Sequence, residues 1–139
     1  MVADAGVLLS TVIPDPLSQQ SAKLWQDWAN NSIQVAAPTL FRYEIVSVIR
    51  KHVARGTITS VVGEQSLARL VRQPVSFYLD DQLLKRGYEL ASQFARPAAY
   101  DTQYLAVAEY LGCEFWTLDQ RLFNVFSPVL KWVYWVGNV

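Results

Sequence analysis

Short apolar runs alternate along the chain with longer stretches in which apolar residues recur every three or four positions. The short runs predict strands at residues 2–3, 33–36, 75–78, 115–117 and 131–136. The longer stretches predict helices at residues 18–30, 38–55, 59–72, 82–94 and 101–111, with a helical turn after residue 119. Strands that alternate with helices are typical of an α/β fold with a mainly parallel sheet.

Three of the predicted helices, at residues 18–30, 38–55 and 101–111, carry a stripe of side chains that should face the sheet. In residues 38–55 the stripe includes His52, and a histidine in the middle of such a stripe is expected to be packed in the core. Gly112 fits the left-handed position that ends a helix. The three stripes are Ala22, Trp25 and Ala29; Phe41, Ile45, Val48, Ile49 and His52; and Asp101, Tyr104, Leu105, Ala108 and Leu111.

Length and composition predict one globular domain, residues 1–139. The chain is 52% hydrophobic, and no linker or low-complexity tract divides it. No basic segment followed by a long apolar run stands at the start, so neither a signal peptide nor a membrane span is expected. The single cysteine, Cys113, cannot form an internal disulfide, which favours the reducing cytoplasm.

Four acidic residues occupy comparable places in the predicted fold. Asp4 and Asp119 each follow a strand, whereas Glu44 and Asp101 lie in early turns of helices that should pack on the sheet. In a parallel sheet, strand ends and the starts of the following helices lie at one edge, where ligands bind. The four carboxylates are therefore expected to converge there.

A cluster of four carboxylates repels itself unless a cation is present or some of the acids stay protonated. No histidine or cysteine has a suitable ligand spacing, so an oxygen-only site indicates Mg²⁺ or Mn²⁺. Such a metal suits phosphodiester hydrolysis, because it activates a water molecule and stabilises charge on the phosphoryl oxygens. Each acid also has an ordinary interpretation: Asp4 and Asp119 as strand-end turns, Asp101 as a helix N-terminal charge, and Glu44 as a solvated side chain.

The net charge of the chain does not exclude a polyanionic substrate. The formal net charge is zero, with twelve basic and twelve acidic residues, but four of the acids belong to the predicted site. Arg42, two residues before Glu44, and Arg121, two residues after Asp119, are candidate contacts to RNA phosphates.

Four segments, in this order, resemble the PIN domains of toxin-type ribonucleases from VapBC toxin–antitoxin pairs. They are Val2-Ala3-Asp4-Ala5, Pro38-x5-Glu44, Tyr100-Asp101-x2-Tyr104-Leu105-Ala106-x-Ala108-Glu109, and Thr117-Leu118-Asp119-x-Arg121-Leu122. The resemblance implies a three-layer α/β/α sandwich. It also implies Mg²⁺- or Mn²⁺-dependent cleavage of RNA, with Asp4, Glu44, Asp101 and Asp119 as the metal-binding acids. A small protein antitoxin and a homodimer are the implied partners.

One position departs from the family pattern. Gly6 stands where the family usually has Ser, Thr or Asn, whose polar group would orient the first carboxylate or a water molecule. Thr117 is the remaining candidate hydroxyl, close to Asp119. The alternative that Gly6 favours is a catalytically weak PIN-like module for binding or assembly. A receiver domain would need an acidic pair after the first strand, and a dehalogenase-type phosphatase would need an aspartate where Gly6 stands.

Overall fold

The protein is described from a computed structural model that covers residues 1–139. Five strands form one sheet in the order β3-β2-β1-β4-β5, and every neighbouring pair is parallel. The strands are Val2–Ala3 (β1), Val35–Pro38 (β2), Val75–Tyr78 (β3), Phe115–Thr117 (β4) and Val133–Trp135 (β5).

Seven α-helices connect and cover these strands, giving the predicted three-layer α/β/α sandwich. None of them is long and apolar enough to cross a membrane. Gly112 ends the sixth helix in the predicted left-handed conformation, with φ 60°. The helices are Ala5–Leu9 (α1), Ser18–Asn30 (α2), Leu40–Ala54 (α3), Ser60–Leu70 (α4), Asp81–Gln93 (α5), Asp101–Leu111 (α6) and Gln120–Phe126 (α7), and a 3-10 turn, Val136–Asn138, follows β5.

The short strand β1 lies at the centre of the sheet. Val2 N–H donates to the Glu114 carbonyl at 2.8 Å, and Asp4 N–H donates to the Trp116 carbonyl at 3.0 Å. The chain continues from β1 to β2 on one side, and β4 lies on the other side, so the strand order reverses at β1. Crevices at such reversals, beside the carboxyl ends of the strands, are where open α/β sheets bind ligands. Asp4 emerges from β1 at that point.

Apolar side chains cover both faces of the sheet. The larger cluster contains Phe41, Tyr104, Phe115 and Phe126, and it packs most of the helices against one face. A smaller cluster, formed by Ala3, Val7, Leu24, Trp28, Val35 and Val136, covers the other face beneath α2. Strands buried on both faces are expected in a parallel sheet.

Three predicted details are wrong. In α2 the buried stripe is Ser21, Leu24 and Trp28 and not the predicted Ala22, Trp25 and Ala29, because Leu24 and Trp28 present more apolar surface to the sheet. Only Trp25 of the predicted stripe is even half-buried.

The second concerns residues 33–40. Pro38 is the last residue of β2, paired with Tyr78, and it does not open α3, which begins at Leu40. Proline lacks the N–H that a strand interior needs, but it is tolerated at this strand end. The last strand is also shorter than predicted, Val133–Trp135, because Val136 begins a 3-10 turn.

Candidate active site

A cavity of about 360 Å³ opens at the carboxyl edge of the sheet, next to the end of β1. All four predicted acids line it, although they come from widely separated parts of the chain. The rest of the wall is largely apolar. The predicted acids in the wall are Asp4, Glu44, Asp101 and Asp119, Asp15 is a fifth acid there, and the apolar lining includes Leu9, Ile13, Val48, Leu118 and Leu122.

Asp4 is held rigidly at the base of the cavity. One carboxylate oxygen accepts from Val7 N–H at 3.0 Å and thereby caps α1. The other oxygen accepts from the Thr117 hydroxyl at 2.5 Å and from Leu118 N–H at 3.3 Å. Burial is the main reason that the pKa of Asp4 is raised to about 6; these hydrogen bonds oppose the rise and the charge of Glu44 adds to it.

Glu44 faces the cavity from α3 and is not the solvated side chain of the ordinary interpretation. Its Oε2 accepts a hydrogen bond from the hydroxyl of Tyr104, a buried residue of α6. Burial raises the pKa of Glu44, the bond from Tyr104 opposes that rise, and the charge of Asp101 increases it. Burial and the nearby Glu44 also raise the pKa of the Tyr104 phenol, so it remains protonated and a donor.

Asp101 is the first residue of α6 and lines the cavity. Its Oδ2 lies 3.9 Å from Nη2 of Arg96, which precedes the helix. Burial raises the pKa of Asp101, the Arg96 guanidinium lowers it, and the charge of Asp119 raises it. Arg96 therefore offsets only part of the cost of placing this carboxylate in the cavity wall.

Asp119 and Thr117 connect the end of β4 to the site. Asp119 Oδ1 accepts from Arg121 N–H at 2.7 Å and from Leu122 N–H at 3.4 Å, so the side chain caps α7. Thr117 Oγ1 accepts from Asp119 N–H at 3.0 Å while it donates to Asp4. The Thr117 hydroxyl thus contacts the Asp4 side chain and only the backbone of Asp119.

The negative charge of one carboxylate raises the pKa of the next around the cavity. Glu44 raises the pKa of Asp4, Asp101 raises that of Glu44, and Asp119 raises that of Asp101. Such coupling between like charges requires proximity. No three of the acidic, histidine or cysteine side chains form a ready-made ligand cage.

The donor set suits a hard divalent cation. Glu44 and Asp119 each have one carboxylate oxygen without a hydrogen-bond partner in the chain, and Asp101 has two, one of which is ion-paired with Arg96. The groups that converge are all oxygens, as Mg²⁺ and Mn²⁺ prefer, and a cation would remove the repulsion between them.

Gly6 is tightly packed at the position where the family pattern has a polar side chain. A Cβ atom at Gly6 would lie 3.1 Å from Asp4 Oδ1 and 3.2 Å from Leu118 Cβ. The Leu118 side chain occupies the adjoining space, and the Asp4 carboxylate accepts instead from Thr117 and Leu118. Both hydrogen bonds to Asp4 Oδ2 therefore come from the end of β4, whereas Oδ1 accepts from Val7 N–H of α1.

The two arginines of the sequence prediction lie outside the cavity wall. The Arg42 guanidinium carbon stands 5.5 Å from the centre of the Phe77 ring, over the edge strand β3. Arg121 is exposed in the first turn of α7, next to Asp119.

Three residues of the site were not singled out from the sequence. Tyr104 was assigned to a helix stripe and given no role in the site, Arg96 was given no role, and His52 was expected in the core. The signal for Tyr104 was available, since a buried tyrosine needs a hydrogen-bond partner. His52 is half-buried and lines the cavity, because α3 extends beyond the packed core at that point.

An all-parallel α/β/α sandwich with acidic side chains around a crevice at the centre of its carboxyl edge defines the class of protein. The chain matches the PIN domain family over residues 1–126 and belongs to that family. This confirms the family resemblance drawn from the four sequence segments.

Curated relatives extend the similarity over nearly the whole chain. Ribonuclease VapC3 of Pyrobaculum aerophilum is 24% identical over 132 residues, which are 94% of this chain and 97% of that protein. Ribonuclease VapC9 of Mycobacterium tuberculosis is 28% identical over 122 residues, 88% of this chain and 87% of that protein.

Proposed function

We propose that the protein is a divalent-metal-dependent endoribonuclease and the toxin of a toxin–antitoxin pair. The observation that carries this proposal is the meeting of Asp4, Glu44, Asp101 and Asp119 around one cavity of a PIN-domain fold. Relatives that are named VapC ribonucleases support the choice of RNA as the substrate.

The four carboxylates would hold Mg²⁺ or Mn²⁺. Bound there, the metal would supply activation of water and stabilisation of the negative charge that develops on the phosphoryl group. The chain's own contribution is to fix the acids in place: Thr117 and the Leu118 N–H orient Asp4, and Tyr104 orients Glu44. Removal of a partner that orients a metal ligand typically lowers metal affinity or activity by about 10- to 100-fold.

Positive charge near the cavity would hold the RNA backbone. Arg121 is exposed beside Asp119, and Arg42 is exposed two residues before Glu44, so both are available to phosphates. The protein would act in the cytoplasm, as a single domain of residues 1–139.

Two protein partners belong to the same proposal, a small antitoxin and a second copy of the chain. VapC-named relatives support the antitoxin. For the homodimer, the support is exposed apolar surface along β3 and the start of α5, where Phe77, Leu79 and Leu84 are solvent-accessible.

Cleavage of RNA in the presence of Mn²⁺ tests the nuclease, with Asp101→Asn and Asp81→Asn as a matched pair. Both aspartates are the first residue of a helix, but only Asp101 lines the cavity. We expect loss of cleavage in Asp101→Asn and wild-type cleavage in Asp81→Asn. Equal activity of the two variants would refute the assignment.

A further inference from the structure

One face of helix α3 forms part of the cavity wall. Glu44, Val48 and His52 are spaced four residues apart on this helix, and all three line the cavity. Lys51 and Arg55 follow the same face, because at about 100° per residue both lie within about 20° of the direction of Glu44 around the helix axis. Arg55 is the C-cap residue and keeps a helical backbone, with φ −83° and ψ −6°. The last turns of α3 therefore carry two basic side chains on the side of the helix that lines the cavity.

These two positive charges are not neutralised within the chain. Lys51 and Arg55 are both exposed, and neither forms an ion pair with Asp15, the fifth acid of the cavity wall, or with any other acid. Cations near a helix C-terminus are favoured by the helix dipole, but the dipole does not select one face of the helix. Arg50 shows the difference, since it is exposed in the same part of α3 but lies about 120° around the axis from Glu44. The dipole accounts for all three cations, whereas only two of them share the face that lines the cavity.

The length of α3 separates the two cations from the carboxylates. Along the helix axis, Lys51 lies about 10 Å and Arg55 about 16 Å beyond Glu44. Phosphates follow one another about every 3.4 Å along one strand of a double helix, and they lie farther apart in an extended single strand. If one phosphate of a strand is at the carboxylates, the phosphates opposite Lys51 and Arg55 are therefore about two to five nucleotides away.

We propose that Lys51 and Arg55 form a second contact to the RNA backbone, at phosphates about two to five nucleotides from the bond that is cleaved. This inference rests on the proposed nuclease function. Ammonium and guanidinium groups both form charge-assisted hydrogen bonds with phosphate oxygens, and such contacts position a strand without reading its bases. A nucleic-acid strand is favoured over an acidic protein segment, because the four carboxylates on the same side of α3 would hold a metal suited to phosphoryl oxygens. One continuous strand then contacts both ends of the helix.

The experiment measures how the affinity for RNA depends on salt. A single-stranded RNA longer than the span of about five nucleotides is bound in a series of KCl concentrations at constant Mg²⁺ and followed by fluorescence anisotropy. The protein carries Asp101→Asn, so that the RNA stays whole. Each phosphate contact contributes about 0.7 to the slope of log affinity against log salt for a single strand, so Lys51→Gln and Arg55→Gln should each reduce the slope by about that amount. Arg50→Gln removes the same charge from the same helix and should leave the slope unchanged.

An unchanged slope in either Lys51→Gln or Arg55→Gln, an equal change in Arg50→Gln, or no binding of RNA would overturn the inference. An equal change in Arg50→Gln would show general attraction to a basic surface, not contacts on one face of α3. Cleavage of RNA by the wild type with Mn²⁺ is scored separately. A slope that depends on Lys51 and Arg55 without cleavage would refute the nuclease but not the inference, whereas cleavage with unchanged slopes would do the reverse.

Discussion

The Thr117 hydroxyl connects two of the four carboxylate residues, since it donates to the side chain of Asp4 and accepts from the backbone of Asp119. It performs the role that the sequence comparison expected of a polar residue at position 6. Gly6 packs closely against Asp4 and Leu118, so a side chain at position 6 would require these neighbours to move by a few tenths of an ångström. A glycine in place of a polar residue therefore does not leave Asp4 without a donor.

Thr117→Val should weaken both Mn²⁺ binding and RNA cleavage by about 10- to 100-fold, because it removes the donor that orients Asp4. Calorimetric titration with Mn²⁺ and a cleavage assay measure the two effects. Thr11→Val is the matched control, since its hydroxyl bonds to the Leu8 carbonyl and it does not line the cavity. Wild-type metal affinity in Thr117→Val would show that Asp4 does not depend on this bond.

Asp4 should also make the stability of the metal-free protein depend on pH. Its pKa is raised from an ordinary value of 3.8 to about 6, so the folded chain binds more protons than the unfolded chain between these values. The stability that Asp4 contributes is fully present below the lower pKa and is lost as pH rises, by up to about 3 kcal/mol above pH 6. Urea unfolding in EDTA across this range measures the loss.

Asp4→Asn should remove the part of this decline that Asp4 causes between its ordinary pKa of 3.8 and its raised pKa of about 6. The raised pKa values of Glu44 and Asp101 should leave a smaller decline in the same direction. The matched variant Asp27→Asn, at an exposed position of α2, should keep the full decline. Divalent metal should restore stability mainly above pH 6, where Asp4 is ionised. The same decline in Asp4→Asn as in the wild type would exclude Asp4 as its source.

Helices α3 and α4 form a hairpin whose close packing depends on one glycine. A Cβ atom at Gly63 would lie 2.5 Å from Cγ2 of Val53, a β-branched side chain that has little freedom to move. Because α3 carries both Glu44 and His52, this contact also fixes the wall of the cavity.

Gly63→Ala should lower the free energy of unfolding by about 1–3 kcal/mol through overpacking, only partly offset by the better helix propensity of alanine. Urea denaturation measures the change. In Gly63→Ala/Val53→Ala the overlap disappears, so the two substitutions should be strongly non-additive. A Gly63→Ala protein more stable than the wild type would show that the helices separate at no cost.

At the level of elements, the sequence predicted what local patterns determine. Residues 75–78 and 115–117 were assigned to strands with the bounds that the structure has, and helix α2 was bounded correctly. The buried side of α2 was wrong by one residue, because both Ala22-Trp25-Ala29 and Ser21-Leu24-Trp28 have helical spacing. Only contact with Val35 and Val136 across the sheet selects the second.

The placement of the acids could be predicted because it follows from topology, whereas their hydrogen bonds could not. Strand ends and helix starts share one edge of a parallel sheet, which brings Asp4, Glu44, Asp101 and Asp119 to one cavity. The Tyr104–Glu44 and Thr117–Asp4 bonds join residues 60 and 113 positions apart, so side-chain packing alone decides them. His52 was misplaced for the same reason.

The whole chain is built on one sheet with apolar clusters on both faces, and Ala3 and Val2 of the central strand belong to opposite clusters. We therefore expect residues 1–139 to unfold in one cooperative transition. Tryptophan fluorescence and far-ultraviolet circular dichroism should give coincident urea curves. Two separate transitions would show that the chain contains more than one folding unit.

The central claim is that four carboxylates from distant parts of the chain form one divalent-metal site. Calorimetric titration of Mn²⁺ into the wild type, Asp4→Asn, Glu44→Gln, Asp101→Asn and Asp119→Asn tests it most directly. We expect one class of site in the wild type, with weakened binding in each of the four variants and wild-type binding in Asp81→Asn. Absence of Mn²⁺ binding, or unchanged affinity in any of the four variants, would contradict the claim.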